Sequence, residues 1–570
     1  MNNWKKIATS VVALGVAAAS LAGCGTKVTP IGIDTSTPKI QIMTAQSSIA
    51  AADENSPVVQ AIEKKLGEKM SEKYGKSYDK VDLDINWIAS ASYGEKVTAA
   101  MGASEYPHVM LVTTRSSSVI QNSKIGTFWD LTGRFEEKDE NGELKYKYLA
   151  EGNPVVNKNI SVDGRLYGIY RARAIARQGM TYRNDWTLKL LDEGVLDFGK
   201  DENGNAYTEP QTIADLEAMV KAFTENDPDG NGKKDTYGMI ITSYIDGPVQ
   251  DLSVWCGAPN EWGYDAETDE WKPAFMSEGY FKALTLIRDW YKKGYVNQNM
   301  VSLDPNKWDE DFVNDKGGIQ IDVADRGRRN AAKFLDADGK PREGVVNVIG
   351  AVKPDDKSDY RIRPTTGYNG YYVIPVPAVP EETDLDFILS VLDECNSRDI
   401  VALCNYGIEG IHYEIIQDGK DKGKIKFKVG DDGKNYKADD YADLNQFSMG
   451  IAKNDLRTSY TTSVAEKVAE IQDDKNAIYA VNNPMAPYTS KSYATSGTMM
   501  DAIISEARTN YLVGKLDEKG YKAAIEEWKK MDGAKVMKEY KEAFDNDPLN
   551  DADGDGKADI QPEQIFKFKF

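Results

Sequence analysis

A twelve-residue segment, DPDGNGKKDTYG at positions 227–238, has the residue types and spacing of a calcium-binding loop. Oxygen-bearing side chains recur at alternate positions and Gly232 stands at the sharp turn, which is the order of ligands in an EF-hand-type loop. The bidentate glutamate usual at the last position is missing, because Gly238 stands there. A plain surface turn is the alternative. The candidate Ca²⁺ ligands are Asp227, Asp229, Asn231, the Lys233 carbonyl, Asp235 and Thr236, the last through its hydroxyl or its carbonyl.

A second acidic segment, at positions 551–559 near the C-terminus, repeats this alternation of oxygen ligands. Its candidate ligands are Asp551, Asp553, Asp555, the Lys557 carbonyl and Asp559. The alternation favours a second Ca²⁺ loop over a solvated acidic turn. Any ion held in this way is expected to be structural rather than catalytic, since hard oxygen ligands suit a cation such as Ca²⁺.

Aromatic side chains in loop-like sequence are candidates for stacking on a ligand. Trp255 and Trp262 are flanked by Gly, Pro and Asn, which predicts loops, where ligand contacts concentrate. Nearby polar side chains would hydrogen-bond the polar groups of the ligand. For any one Trp, a place in the core is an equally good interpretation. The candidate ligand contacts are Trp129, Trp255, Trp262, Trp308, Tyr167, Tyr368, Tyr371, Asp163, Arg171, Arg173, Arg326 and Asn369.

One basic neighbourhood stands out in this acidic chain, formed by the arginines at positions 326, 328, 329, 361 and 363. The paired N–H donors of a guanidinium group suit the carboxylate of an acidic sugar such as a uronate. Pairing of the same arginines with Asp and Glu side chains is the alternative.

Motifs for catalysis are not evident in the sequence. His108 and His412 are the only histidines and each is isolated, and no Gly-x-Ser-x-Gly elbow, phosphate loop or dinucleotide fingerprint is present. A pair of glycosidase carboxylates could lie among the 91 Asp and Glu residues, so composition alone does not exclude hydrolysis. The pattern favours a binding protein over an enzyme.

The elements that must position these residues alternate between strands and helices. Apolar or alternating stretches predict strands at 40–43, 81–87 and 108–112, with helices from 57 and from 93 between them. This order predicts a parallel α/β sheet with right-handed crossovers. A further helix, capped by Thr212, enters the 227–238 loop, and a strand at 239–241 leaves it. An ion in the loop would therefore fix the helix end to the strand.

Length and charge narrow the class of protein. A chain of 570 residues is too long for one hydrophobic core, so two or more lobes are expected. The net charge of −21 disfavours nucleic-acid binding, which needs clustered Lys and Arg.

The N-terminus has the features of a signal peptide with a lipid attachment site. A charged start at positions 4–6 precedes an apolar run, and Leu-Ala-Gly-Cys at positions 21–24 is typical of a bacterial lipobox. The pattern predicts cleavage before Cys24, a lipid on its thiol and a flexible tether up to Pro38. A secreted protein with a cysteine there by chance is the alternative.

Three further cysteines are too few for a disulfide framework. They are Cys256, Cys395 and Cys404. Cys395 and Cys404 either pair or remain as two buried free thiols.

Four motifs in this order resemble the extracellular solute-binding proteins (family 1) of ABC importers. They are LYG at 166–168, YRNDW at 182–186, the calcium-like loop at 227–238 and YGIEG at 406–410. The chain is most similar to the large lipoprotein branch, near the alginate-oligosaccharide-binding proteins, over about residues 38–545. In one departure, Thr236 follows Asp235 where an acidic residue is common in the family, and the acidic tail is a second departure.

The resemblance implies an α/β, two-lobe, periplasmic-binding-protein-like fold (type 2) with the ligand cleft between the lobes and a calcium loop in the second lobe. We expect a signal peptide at 1–23, a lipidated cysteine and tether at 24–38, an N-terminal lobe at 39–170 plus 372–455, a C-terminal lobe at 171–371 plus 456–545, and an acidic extension at 546–570.

The expected function is that of a receptor on the extracellular face of the bacterial cell membrane. A lipid-anchored monomer would capture an oligosaccharide, close by hinge motion and deliver the sugar to the permease subunits of an ABC importer. A receptor for a peptide or another non-sugar solute is the first alternative. A surface glycosidase or a calcium-dependent adhesin is the second.

Overall fold

A computed structural model of the protein describes residues 28–569, apart from 432–433, 461, 548–549, 552 and 556 and the side chains of 474 and 475. The expected signal peptide and Cys24 lie outside the described residues. The strands are β1 (Lys39–Gln46), β2 (Asp82–Ala89), β3 (Val109–Val112), β4 (Ile169–Ala172), β5 (Gln178–Arg183), β6 (Tyr237–Met239), β7 (Trp262–Asp265), β8 (Glu270–Pro273), β9 (Gly317–Val323), β10 (Val346–Ile349), β11 (Tyr368–Val373), β12 (Tyr413–Ile415) and β13 (Ile425–Phe427).

The helices outnumber the strands and follow most of them. They are α1 (Pro57–Tyr74), α2 (Ser90–Ala103), α3 (Ser117–Lys124), α4 (Pro154–Ile160), α5 (Asn184–Asp192), α6 (Ile213–Glu225), α7 (Asp246–Trp255), α8 (Glu278–Lys293), α9 (Trp308–Val313), α10 (Asp325–Ala331), α11 (Glu382–Glu394), α12 (Arg398–Tyr406), α13 (Ser463–Gln472), α14 (Asp474–Ala477), α15 (Lys491–Leu512), α16 (Glu518–Trp528) and α17 (Ala534–Asp545). Within the described part of the chain, no helix is both long enough and apolar enough to cross a bilayer.

The first sheet has the strand order β2-β1-β3-β11-β4. β1 pairs in parallel with β2 and with β3, which confirms the parallel α/β arrangement predicted for this part of the chain. β11 pairs antiparallel with both β3 and β4. The interior of β1 is buried at every position, as expected for a strand covered on both faces.

Helix α1 shows how the local sequence sets these elements. The Ser56 side chain accepts hydrogen bonds from the Val58 and Val59 N–H groups, proline follows it at the first helical position, and Gly75 ends the helix at a φ of 63°. The apolar stripe of the helix is buried against the sheet. Gly67 is required at the contact with the following loop, because a Cβ there would lie 2.6 Å from Lys80 Cα.

The second sheet has the order β10-β5-β9-β6. β5 is antiparallel to β9 and β10, whereas β6 is parallel to β9. Helix α6 packs against this sheet through buried residues that include Leu216, Val220 and Phe223. The predicted capping box at its start is confirmed: Thr212 and Asp215 exchange backbone and side-chain hydrogen bonds.

Each sheet lies in its own apolar core, which makes the fold a two-lobe one. In the described part of the chain, segments 173–177 and 363–367 cross between the lobes, and the chain passes from the first lobe to the second again between Ser459 and Thr462. Two of these crossings hydrogen-bond to each other, since Arg173 N–H donates to the Gly367 carbonyl at 3.0 Å and Thr365 N–H donates to the Ile175 carbonyl at 2.9 Å. Paired crossing strands are the natural place for a hinge, because small backbone rotations there move whole lobes.

The C-terminal segment returns to the second lobe. Phe566 N–H donates to the Tyr264 carbonyl at 3.0 Å, and Glu278 N–H donates to the Lys567 carbonyl at 3.0 Å. The Phe566 ring lies below the Arg361 guanidinium group, 5.5 Å from its carbon. The tail is thus an integral part of this lobe beside the β7–β8 hairpin.

The three described cysteines are all buried free thiols. Pairing of Cys395 with Cys404 is therefore wrong, and the alternative of two free thiols is confirmed. Burial raises the pKa of the Cys256 and Cys395 thiols to about 12, so neither is a reactive thiolate.

Candidate functional site

A cavity of about 530 Å³ opens on the second lobe. Its walls come from the start of α7, the β7–β8 hairpin, the second crossing segment and the helices α15 and α17. The aromatic and charged residues that line it are Asp246, Glu261, Trp262, Phe275, Tyr280, Arg363, Tyr493, Asp501, Arg508, Trp528 and Tyr540. This mixture of ring faces and a few convergent polar groups is typical of a small-molecule site.

Two aromatic rings form the apolar part of the cavity wall. Trp262 begins β7 and Tyr540 lies on α17, with ring centroids 4.7 Å apart at an interplanar angle of 59°. Both rings are only partly buried, so part of each face is open to the cavity. Tyr493 on α15 adds a third ring, and its hydroxyl donates to Asp501 Oδ2 at 2.7 Å.

Two carboxylates stand beside these rings. Glu261 has a φ of 61°, a conformation that costs a non-glycine residue energy and that is often found at binding sites. Its side chain is exposed and accepts a hydrogen bond of 2.7 Å from Asn483 Nδ2. Desolvation raises the pKa of Glu261, with Arg363 and Asn483 opposing the rise. Burial likewise raises the pKa of Asp501, opposed by the hydrogen bond from Tyr493.

The two arginines of the cavity wall are held by carboxylates. Arg363 Nε donates to Asp251 Oδ1 at 2.5 Å, and Asp251 is fully buried. Arg508 forms an ion pair with Asp246 and donates to the Tyr280 hydroxyl at 3.3 Å. Because each guanidinium group already has its counter-charge, both arginines are held in place by the fold.

Arg115 brings the first lobe against the cavity. It follows β3 and donates to the Ser161 carbonyl of its own lobe at 2.7 Å, and to the Ala486 carbonyl of the other lobe at 3.3 Å. Burial raises the pKa of Tyr540 to about 12, an effect that Glu261 adds to and Arg115 opposes. Arg115 and Glu261 therefore act with opposite signs on the pKa of Tyr540, near the contact between the lobes.

A second cavity, of about 850 Å³, lies between the lobes. Its first-lobe wall includes Arg115, Lys158 and Asp163, and its second-lobe wall includes Tyr488 and Asp547. Lys158 bridges the lobes, because its Nζ lies 2.9 Å from Asn550 Oδ1 and 3.7 Å from Asp547 Oδ2. The structure thus has a gap with aromatic and charged walls between two lobes that already touch.

Of the tryptophans proposed as ligand contacts, only Trp262 lines the first cavity. The prediction that Trp255 lies in a loop is wrong, because it is the last residue of α7 and is 0% exposed in the second core. Trp262 lies on a strand rather than in a loop. The Gly, Pro and Asn residues around both positions belong to the turns that connect these elements.

Trp308 and Arg326 are structural, which corrects their assignment as ligand contacts. Trp308 is 2% exposed, and its Nε1 donates to the Ile240 carbonyl at 3.0 Å. The Arg326 guanidinium carbon lies 4.3 Å from the centre of the Trp308 ring. Arg326 also pairs with Asp322, at 2.6 Å, and with Asp309.

The first-lobe candidates lie on or near the first sheet and do not line the first cavity. Trp129 Nε1 donates to the Val379 carbonyl at 2.7 Å, and Tyr167 packs partly buried against the first core. Tyr371 is buried on β11, 6.1 Å from the Tyr368 ring. Their packing suits a structural role.

The remaining polar candidates lie on β4 and β11, on the first crossing segment and at the interlobe cavity. Arg171 Nη1 donates to the Asn369 carbonyl at 3.0 Å, and Arg173 is exposed. Asp163 lines the second cavity and pairs with Lys124 at 2.9 Å.

The residues that the sequence did not single out are Glu261, Tyr493, Asp501, Tyr540 and Arg115. Glu261 is next to Trp262, so proximity to a proposed contact was a usable signal. The others come from separate parts of the chain, in sequence that reads as ordinary helix or loop. Only tertiary packing brings them together.

The 227–238 loop has converging oxygens that fit a hard cation. Gly232 N–H donates to Asp227 Oδ2 at 3.0 Å, and Asn231 N–H donates to Asp227 Oδ1 at 3.1 Å. Asn231 Nδ2 contacts both Asp229 Oδ2, at 2.6 Å, and Asp235 Oδ1, at 3.1 Å. Desolvation and then Asp227 raise the pKa of Asp229, which shows that carboxylates crowd one point. A divalent ion would relieve that crowding.

One proposed ligand atom in this loop also forms a hydrogen bond within the protein. The Thr236 hydroxyl donates to the Phe223 carbonyl at 2.8 Å, on the helix side of the loop. This bond uses the proton of the hydroxyl and leaves its lone pairs, so coordination by Thr236, through its hydroxyl or its carbonyl, stays a prediction. The bond joins α6 to the start of β6.

The C-terminal loop brings together one oxygen from each of three carboxylates. The oxygens of Asp551, Asp553 and Asp559 lie within 4.8 Å of one another. Asp555 Oδ1 accepts from Lys557 N–H at 2.9 Å, so this side chain serves the turn itself.

Two relatives from Bacillus subtilis (strain 168) are similar to the chain over most of its length. Lipoprotein LipO is 31% identical over 541 residues, which are 94% of this chain and 97% of the relative. The polygalacturonan/rhamnogalacturonan-binding protein YtcQ is 28% identical over 467 residues, 81% of this chain and 85% of the relative. No protein-family model matches the chain.

Solved structures share the fold at low identity. An HMO-binding, ABC-transporter-associated solute-binding protein from Bifidobacterium longum infantis has a TM-score of 0.59 at 13% identity, over 89% of this chain and 99% of its own. The alginate-binding protein AlgQ2, solved without calcium ion, has a TM-score of 0.54 at 17% identity, over 90% and 99%. An EF-hand mutant of the Streptococcus pneumoniae protein FusA, in complex with fructo-nystose, has a TM-score of 0.57 at 15% identity, over 90% and 100%.

The relative and the structures whose names state a role are binding proteins, which confirms the interpretation as a binding protein rather than an enzyme. LipO is above 30% identity across nearly the whole of both chains, and the fold is that of the solute-binding proteins. The chain therefore belongs to the extracellular solute-binding proteins of ABC importers, in the lipoprotein branch that includes LipO.

Proposed function

We propose that the protein captures an oligosaccharide between its lobes and presents it to an ABC importer. The observation that carries this proposal is the Trp262–Tyr540 ring pair, open to a cavity that also holds Glu261 and Asp501. Sugars present apolar C–H faces, which stack on rings, and hydroxyl groups, which donate to carboxylates. The saccharides named for YtcQ and for the structural neighbours support the same class of ligand.

Binding would couple to closure of the lobes. The rings and carboxylates belong to the second lobe, whereas Arg115 reaches from the first lobe to the Ala486 carbonyl of the second. A ligand that contacts both sides stabilises the closed state over the open one by its difference in affinity for the two. The paired crossing segments at 173–177 and 363–367 are the proposed hinge.

The residues of the two apolar cores support the proposed division of the chain into two lobes. The first core contains residues from 31–170 and 371–451, which supports an N-terminal lobe built from 39–170 plus 372–455. The second core draws on 180–352 and 500–537, which supports the C-terminal lobe. The sheet pairing adds β4 and the start of β11 to the first lobe, so each crossing lies within a few residues of the proposed limits.

A lipid on Cys24 would keep the protein on the outer face of the cell membrane, near the permease. The lipobox pattern at positions 21–24 supports this, as does the name of the relative LipO. The described part of the expected tether instead packs on the first lobe, because Ile31 is 2% exposed and its carbonyl accepts from Lys39 N–H at 2.8 Å. The proposed tether is therefore limited to the residues before Thr29. The receptor would act as a monomer.

Calcium is proposed as a structural ion of the 227–238 loop. Asp227, Asp229, Asn231, the Lys233 carbonyl and Asp235 would hold it. When bound, the ion supplies positive charge that binds the end of α6 to the start of β6. The loop at 551–559 is a second proposed site, supported by its three converging carboxylates.

A thermal-shift and calorimetry panel of oligosaccharides on the mature protein tests the proposed function. Binding of at least one saccharide, without release of hydrolysis products, is the expected result. A protein that binds only peptides, or that cleaves the saccharide, would contradict it.

A further inference from the structure

We propose that the second-lobe cavity takes a neutral stretch of oligosaccharide and rejects uronate residues. This inference rests on the proposed function and adds the charge class of the ligand. It is based on the sign of the charge on the cavity wall and on the ion pairs of the two arginines that line it.

Carboxylates outnumber cations in the cavity. Asp246, Glu261 and Asp501 line it together with Arg363 and Arg508, and Asp251 lies directly behind Arg363. These four carboxylates and two guanidinium groups leave a net charge of −2.

Among the residues that the structure describes, the two carboxylates nearest the rings have no cationic partner in an ion pair. Glu261 accepts from the neutral Asn483 amide at 2.7 Å, and Asp501 accepts from the Tyr493 hydroxyl at 2.7 Å. Both side chains are exposed to solvent. Each carboxylate can therefore accept further hydrogen bonds from sugar hydroxyl groups, which are the donors that a neutral sugar offers.

The cations that would hold a uronate are already engaged. Arg363 pairs with Asp251, and Arg508 pairs with Asp246. Arg361 donates to the Val254 carbonyl at 2.9 Å and to the Ala258 carbonyl at 3.1 Å. The bidentate recognition of a carboxylate needs a guanidinium group with free N–H donors on one edge. Arg363 uses only Nε on Asp251 and keeps its Nη donors, but its positive charge is already balanced by Asp251, and that of Arg508 is balanced by Asp246. A uronate would therefore meet no uncompensated positive charge on these two arginines.

Two further arginines of the basic neighbourhood found in the sequence pair with carboxylates of the protein itself. Arg326 pairs with Asp309 and Asp322, and Arg328 lies 3.3 Å from Asp325. On the facing lobe, Arg115 donates to the Ser161, Ala486 and Pro487 carbonyls. Arg173 is exposed on the first crossing segment and does not line the cavity.

The local environment also resists added negative charge. Desolvation raises the pKa of both Glu261 and Asp501, so the site already disfavours its own carboxylates in the ionised form. A uronate would bring a further negative charge beside these carboxylates, and like charges placed side by side repel each other. A neutral sugar carries a primary alcohol at that carbon and avoids this repulsion.

Calorimetry on the whole mature protein with matched ligands tests the inference. The probes are uronate tetramers of several linkages, and the same tetramers after chemical reduction of each carboxyl group to a primary alcohol. We expect at least one reduced, neutral tetramer to bind at least about tenfold more tightly than its uronate parent at low salt, and the ratio to shrink as salt rises.

Two isosteric variants show whether the cavity charge causes this selection. Glu261→Gln and Asp501→Asn remove charge but keep the shape, so each should lower the neutral-to-uronate ratio several-fold. Asp399→Asn, an exposed carboxylate on α12, is the matched control and should leave the ratio unchanged.

The outcomes separate this inference from the function on which it rests. Tighter binding of the uronate parents would overturn the inference alone. The inference would also be overturned if the protein preferred uronates and lost that preference in Arg173→Gln. The ligand carboxylate would then be bound by Arg173, outside the second-lobe cavity. Failure of every tetramer, charged or neutral, together with failure of the wider oligosaccharide panel, would remove both.

Discussion

At the residue scale, Trp262 and Trp255 show how neighbouring tryptophans take different roles. Trp262 presents part of its ring to the cavity, whereas Trp255 lies wholly inside the second core. The same substitution should therefore change binding at one position and stability at the other.

Trp262→Ala should weaken oligosaccharide binding by about 2 kcal/mol, or about 30-fold in Kd, because it removes a stacking face at the centre of the site. Calorimetry on the folded variant measures this. Trp262→Phe keeps a ring and should retain most of the affinity. An unchanged Kd for the alanine variant would place the ligand elsewhere.

Trp255→Ala should instead destabilise the protein by about 3–5 kcal/mol, since it opens a cavity in a packed core. Chemical denaturation, followed for the transition of the second lobe, measures the loss. If the variant were fully stable yet unable to bind sugar, the original assignment of Trp255 as a ligand contact would be restored.

Asp393 gives a pH dependence with a definite sign. It is 3% exposed and its Oδ1 accepts from the Tyr148 and Leu149 N–H groups, but desolvation raises its pKa to about 6 from 3.8. The folded state therefore holds this proton to higher pH than the unfolded chain. The contribution of this group to stability is present below about pH 4 and is lost as the pH rises to about 6.

Asp393→Asn removes this dependence and keeps an oxygen that accepts both N–H groups. The free energy of unfolding of the variant, minus that of the parent, should be about 3 kcal/mol larger at pH 7 than at pH 4. Denaturant titrations at several pH values measure the difference. A constant difference across this range would mean that the carboxyl group ionises normally in the folded protein.

At the element scale, the 227–238 loop joins α6 to β6, and an ion there should stabilise the whole second lobe. Calcium at about 100 times its Kd would add about 2.7 kcal/mol, which raises Tm by several degrees. Differential scanning calorimetry with calcium and with EDTA measures the shift.

Two variants assign that shift to a loop. Asp229→Ala should abolish most of it, because Asp229 is central to the crowded carboxylates of the first loop. Asp553→Ala in the 551–559 loop is the matched control and should leave most of it. The reverse pattern would make the C-terminal loop the principal site.

The elements themselves were largely predictable, and the reason is local. The apolar periodicity, the cap at Ser56 and the capping box at Thr212 each act within a few residues, so sequence alone located α1, α6 and the flanking strands. The loop spacing at 227–238 was predictable for the same reason.

The cavity was not predictable in this way. Tyr540 meets Trp262 across a long stretch of intervening chain, through the packing of α17 on the β7–β8 hairpin. The arginine cluster was visible in the sequence, but the partners that neutralise it, such as Asp251 and Asp309, were not. Pairing of side chains depends on tertiary contacts that no local pattern specifies.

At the scale of the whole molecule, Lys158 joins the lobes through Asn550 and Asp547. Lys158→Met should shift the unliganded protein toward an open form, because it removes one interlobe bridge. Small-angle scattering should then show a larger radius of gyration, and the apparent sugar affinity should fall by about 3–10-fold as the competent state becomes less populated.

Lys124→Met is the matched control for this variant. Lys124 pairs with Asp163 at 2.9 Å inside the first lobe, so its loss should leave the lobe arrangement unchanged. Equal effects from both substitutions would mean that net charge, rather than the bridge, governs closure.

The strand order of the first sheet has a consequence for the order in which the protein folds. β11 lies between β3 and β4 in space, yet it is synthesised about 200 residues after β4. Until it arrives, β3 and β4 lack the neighbour that joins them, and a contact of such long sequence separation forms slowly. The first sheet should therefore stay incomplete until about two thirds of the chain has been synthesised, whereas the strands of the second sheet are all present before β11 emerges.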